Sequence, residues 1–105
     1  MSLNLNDAAM AGNLEEVLIR LNLGEDVNQK YYPRYSTPLH DAVCCGREEV
    51  CKLLIERGAN VNELDYKNMT PLKLAKRYGQ DAIEVMLTAA GAKEFNKFKK
   101  LIFKK

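Results

Sequence analysis

Thr37-Pro38-Leu39-His40 recurs 33 residues later as Thr70-Pro71-Leu72-Lys73. The same displacement carries Gly46 onto Gly79 and Gly58 onto Gly91, so residues that start helices and residues that stop them repeat in step. Thr37 and Thr70 each offer a hydroxyl to the orphan amides of a helix start. Pro38 and Pro71 take the first helical position, where a missing N–H costs nothing. After about one and a half turns Gly46 or Gly79 interrupts, and a second helix follows, with Val50, Leu53, Leu54 and Ile55 as its apolar positions in the middle copy. Gly58 and Gly91 supply the left-handed conformation that closes it. The predicted unit is helix, turn, helix and extended loop.

A third, earlier copy emerges when the displacement is 34: Ala8 maps onto Ala42, Gly12 onto Gly46, Gly24 onto Gly58, and Val27-Asn28 onto Val61-Asn62. One residue is therefore inserted between Asn28 and Thr37. Asn13 with Glu16 predicts a capping box at the second helix of this copy, although the Thr-Pro entry is missing. The copies also differ at their outer positions. Val50 and Leu54 share one helical face and map back onto Glu16 and Arg20, while Cys51 and Ile55 map forward onto Glu84 and Thr88. Opposite faces turn polar at opposite ends, the pattern expected of a complete three-unit stack with soluble ends.

With these residues in register the chain resembles the ankyrin-repeat family, whose 33-residue unit carries a Thr-Pro-Leu-His-x-Ala signature. His40 and Ala42 complete the signature in the middle copy, and the resemblance extends from residue 5 to about 92, including Gly58-Ala59-Asn60-Val61-Asn62. It implies an all-α solenoid of three helix-turn-helix repeats with β-turn or hairpin loops. The expected single domain, 1–105, divides into an N-capping repeat (1–34), a central repeat (35–67), a C-terminal repeat (68–92) and a basic amphipathic tail (93–105). Two positions depart from the family pattern. Lys73 replaces the signature histidine, which predicts a looser hydrogen-bond pattern in the last repeat, and Asn68 stands where the family uses glycine, a change that asparagine tolerates.

Composition bounds the rest. At 105 residues the chain has room for one modest core, and 47% hydrophobic with 29% charged residues is ordinary for a globular protein. The N-terminus lacks the basic start and apolar run of a secretory signal, and the three cysteines, Cys44, Cys45 and Cys51, suit free thiols better than a disulfide framework. An intracellular protein, cytoplasmic or nuclear, is expected. His40 and Cys44 stand four apart on a predicted helix, but the paired spacing of a zinc site is absent and Cys51 falls on a core position. No nucleophile–base constellation or phosphate-binding glycine loop stands out, so the chain is read as a non-enzyme without metal, cofactor or small-molecule substrate. A monomer that binds a protein partner is expected.

Ankyrin-like proteins bind partners with their loop tips and the inner face of the first helices. The resemblance thus points to Gln29–Ser36, where three of the five tyrosines lie: Tyr31, Tyr32 and Tyr35, with Arg34. An exposed loop has no core that demands aromatics, and Tyr and Arg are enriched at interface hot spots. The competing role for these tyrosines is packing under the loop. The second loop adds Leu64, Tyr66, Lys67 and Met69, and the helix face adds Met10, Ala11, Cys44, Cys45, Arg77 and Tyr78. Asn62, eight residues after Leu54, resembles the arrangement that asparaginyl hydroxylases modify in ankyrin repeats; the simpler role is a turn asparagine. A second mode of action is open for the tail. Residues 93–105 hold six Lys against one Glu, and Phe95, Phe98 and Ile102 form a helical stripe, which fits either a capping helix or a segment that binds nucleic acid or an anionic membrane.

Overall fold

The computed structural model describes residues 4–94. Six helices follow one another as three antiparallel pairs: α1 (Leu5–Ala11) with α2 (Leu14–Asn22), α3 (Pro38–Cys44) with α4 (Glu48–Glu56), and α5 (Pro71–Arg77) with α6 (Asp81–Ala89). Each pair is one repeat. The first helices stack on one another through α1, α3 and α5, and the second helices through α2, α4 and α6, so α3 touches both neighbouring first helices as well as its own partner.

The local starts are as the sequence predicts. Thr37 and Thr70 cap α3 and α5 by accepting from the amides of His40 and Lys73, with proline inside each first turn. At α2 the expected capping box is half formed. Asn13 accepts from the Glu16 amide at 3.1 Å, but the Glu16 carboxylate turns to Arg20 at 2.7 Å instead of reaching back. Reciprocal boxes close elsewhere, between Asn4 and Asp7 at α1 and between Thr37 and His40 at α3.

The first two of the first helices, α1 and α3, each end against a side chain from the next repeat. Gly12, at φ +72°, lies so close to Arg47 that a Cβ there would fall 2.7 Å from its Cδ. The space is needed because Arg47 Nε donates to the Met10 carbonyl at 3.0 Å, capping the end of α1. Gln80 crowds Gly46 in the same way one repeat later.

The core runs through the repeats as columns. Leu5, Leu39 and Leu72 form one, and Ala8, Ala42 and Ala75 another; the small alanines let the first helices approach closely. Val50 and Leu54 of α4 are matched by Ile83 and Leu87 of α6, all buried. Where the columns run out, the apolar positions become ion pairs. Arg20 binds Glu16 and Glu25 beside α2, and Lys76 binds Glu84 and Glu94 beside α6. Hydrogen bonds to Gln29, Arg20 and the Leu5 amide outweigh burial and hold the Glu25 carboxyl below its ordinary range.

The expected basic helix, with its stripe of Phe95, Phe98 and Ile102, lies outside the described residues.

Candidate protein-binding face

The first loop is held by the polar residues beneath it. Asn6, buried in α1, donates to the carbonyls of Ser36 at 3.0 Å and Gln29 at 3.2 Å. Ser36 Oγ donates to Asp41 at 2.8 Å, and the Tyr35 amide returns to the Tyr31 carbonyl at 2.9 Å, beside a single bridge between Tyr31 and Ser36. Burial raises the Asp41 carboxyl above its ordinary pKa, partly opposed by the Ser36 hydroxyl. No tyrosine lies beneath this loop. Tyr31 and Tyr35 are 47% and 48% exposed and Tyr32 is 80% exposed, with Tyr32 and Tyr35 in an edge-on ring contact at 6.0 Å.

Tyr35 also has φ +48°, in the left-handed region. It occupies the position that Asn68, at φ +59°, takes in the second loop. Asparagine enters that region readily; tyrosine does so at a cost of about 1–2 kcal/mol.

The second loop is built on Asp65, whose Oδ1 accepts from the amides of Lys67 and Met69, both at 2.9 Å. Leu64 and Tyr66 project outward, and the Lys67 ammonium stands 5.6 Å from the Tyr66 ring centre. Met69 departs from the expected surface. It packs against the core at 9% exposure, and its carbonyl receives the His40 Nε2–H at 2.8 Å. The residue just before each capping threonine turns inward, Met69 buried and Ser36 half-buried, while Tyr66, Lys67 and Asn68 ahead of Met69 are all exposed.

One backbone bond joins the loops: the Tyr66 amide donates to the Arg34 carbonyl at 3.2 Å. Arg34 then reaches α1, its Nη2 4.0 Å from the Met10 sulfur. Met10, Cys44 and Arg77 are equivalent positions in successive repeats, as are Ala11, Cys45 and Tyr78, so the helix ends form two short rows beside the joined loops. Arg77 and Tyr78 are exposed. Burial raises the Cys44 thiol, helped by the Asp41 charge, and pushes Cys51 up to about 12, so neither presents a thiolate. Among the described residues no three His, Cys, Asp or Glu side chains group as a metal site requires.

Asn62 has a structural use. Its Oδ1 accepts from the Lys93 amide at 2.8 Å and its amide group donates to the Gly91 carbonyl at 3.4 Å, while Asn28 makes the matching bond to the Asn60 amide at 2.7 Å. The asparagine therefore bridges to the following repeat as well as lying in its own turn.

Among the described residues no helix is long and apolar enough to cross a membrane. A model of ankyrin repeats, in three copies, matches residues 5–98. The chain is 37% identical over 90 residues to the ARF GTPase-activating protein Git of Drosophila melanogaster, covering 86% of this chain and 12% of that protein. It is 40% identical over 75 residues to the nuclear factor NF-kappa-B p105 subunit of Gallus gallus, covering 71% of this chain and 8% of the relative. A putative ankyrin repeat protein of Fowlpox virus is 29% identical over 94 residues, with 90% of this chain and 21% of the relative covered. The chain thus spans a small fraction of each of these proteins. Three repeats in register, the paired helices, the inter-repeat bond from His40 and the family match agree: the chain belongs to the ankyrin-repeat family.

Proposed function

We propose that this chain is a non-enzymatic binding module, acting as a monomer inside the cell, that holds a partner protein against the face formed by its two loops and the ends of α3 and α5. The supporting observation is the hydrogen bond from Tyr66 to Arg34, which makes one surface of two loops whose tyrosines all project outward. Aromatic side chains with two rotatable bonds bring large contact area at small entropic cost, and arginine adds directional hydrogen bonds. The strained backbone of Tyr35 fits the same reading, because a residue held in a sparsely populated region is often retained for what its side chain does.

The test is quantitative affinity capture with the wild-type chain and a variant carrying Tyr32→Ala, Arg34→Ala, Tyr66→Ala and Tyr78→Ala. All four side chains are exposed, so circular dichroism should report an unchanged fold. Loss of the captured protein with the variant supports the face; equal recovery by both chains removes it.

A further inference from the structure

The charges of this stack are sorted by face. Of the exposed carboxylates, Glu15, Glu48, Glu49, Glu56 and Asp81 belong to the second helices α2, α4 and α6, Asp26 accepts from the Asn28 amide in the turn after α2, and Glu94 follows α6. The first helices carry only Asp7 and Asp41. Asp7 serves the α1 capping box and Asp41 is buried beneath Ser36. Asp65, the acidic residue of the second loop tip, is occupied by the two amides of its own loop. The cations are sorted less strictly: at α4, Arg47 and Arg57 bond to the Met10 carbonyl and to Asn22, and Lys52 stands four residues from both Glu48 and Glu56. Arg20, Lys30 and Lys76 are each paired with glutamates, whereas Arg34, Lys67 and Arg77, on the loop and first-helix face, pair with no carboxylate among the described residues. They lie among exposed tyrosines, where low-dielectric ring faces strengthen an ionic contact once water is excluded.

From this complementarity we infer that the occupant of the face is an acidic peptide segment carrying aromatic or large aliphatic side chains. Its carboxylates pair with Arg34, Lys67 and Arg77, and its apolar groups rest on Tyr32, Tyr35 and Tyr66. The inference rests on the binding face proposed above and adds the partner's chemistry. A basic segment would meet three unpaired cations here, and like-charge contact of that kind discriminates strongly between partners.

The full chain is used to select from a display library of random short peptides, and the enriched peptides are synthesised and titrated. The expected peptides carry net negative charge with aromatic or aliphatic residues and bind more weakly as salt rises. Arg34→Gln with Arg77→Gln weakens them about tenfold, while Glu48→Gln with Glu49→Gln on α4 leaves them unchanged. Enriched peptides that are neutral or basic, yet lost on Tyr32→Ala with Tyr66→Ala, overturn the acidic preference and leave the face standing. Peptides indifferent to both the arginine and the tyrosine changes overturn the face as well. An RNA oligonucleotide or an anionic phosphatidylserine vesicle that binds through Arg34 and Arg77 when no peptide is enriched overturns the peptide inference.

Discussion

Asn6 and His40 occupy the same position in successive repeats and make the same inter-repeat bond with different chemistry. Asn6 Nδ2 donates to the Ser36 carbonyl at 3.0 Å, and His40 Nε2 donates to the Met69 carbonyl at 2.8 Å. Each fixes the residue that precedes the next capping position. In the third repeat Lys73 stands there, exposed; its amide still meets Thr70 at 3.1 Å, but the reciprocal capping bond that His40 makes is not formed.

The histidine makes this bond sensitive to acid. The Thr37 amide donates to Nδ1 at 3.0 Å, which places the proton of the neutral ring on Nε2 and leaves no room for a second one. Burial accordingly lowers the His40 pKa from 6.5, against the raising effect of the Met69 carbonyl and Asp65. The unfolded chain binds the proton more readily. Stability from this group is therefore complete above about pH 6.5 and declines as pH falls from there through the lower folded value. Urea midpoints between pH 7.5 and pH 5 should fall for the wild type and fall less for His40→Asn, which copies the Asn6 solution; equal slopes would falsify this origin. Asp41 contributes with the opposite sign. Its raised carboxyl favours the folded state most at low pH, so Asp41→Asn should flatten that opposing trend.

Tyr35→Gly should stabilise the fold by about 1 kcal/mol, because the left-handed backbone at this site is strained for tyrosine and free for glycine. The same variant should bind the partner less tightly. A higher urea midpoint with weaker binding would show stability and recognition opposed at one residue; a lower midpoint means that the exposed ring contributes more packing than strain.

Gly12→Ala should destabilise by about 2 kcal/mol, combining a left-handed alanine with displacement of Arg47 from the end of α1. A double-mutant cycle with Arg47→Ala separates the two effects. Strictly additive losses would mean that the close approach of Cβ to the arginine is relieved without losing its bond to Met10.

Thiol labelling should rank the cysteines. Cys45 is exposed and should react with iodoacetamide first, Cys44 more slowly, and Cys51 only as the chain unfolds, since burial removes access and pushes its pKa to about 12. Mass spectrometry of peptides along a urea series gives the order. Rapid labelling of Cys51 in native buffer would show local opening of α4.

Much of the fold was legible because its signals are local. Threonine before proline starts α3 and α5, and glycine stops each helix, wherever such residues lie in a chain. The site was legible only as far as side-chain type and loop placement allow. The burial of Met69 was missed, since one inward residue after three exposed ones carries no local mark in the sequence. The role of Asn6 was missed too, although its registration with His40 at the displacement of 34 held that signal. The half-formed box at Asn13 has a competing local cause: Glu16 has Arg20 within reach four residues on, and Arg20 also holds Glu25 across the following turn.

The sequence by itself determined the period, the helix limits and the core columns, because capping and amphipathic spacing act over a few residues and repeat. Only the tertiary structure decided that Arg34 and Tyr66, 32 residues apart in the chain, share a hydrogen bond and hence one surface. It also decided that polar residues under the first loop, rather than its tyrosines, hold that loop in place. Those outcomes depend on how closely successive repeats stack, a distance set by the alanines of the first helices and the glycines just after α1 and α3 rather than by the loop residues themselves.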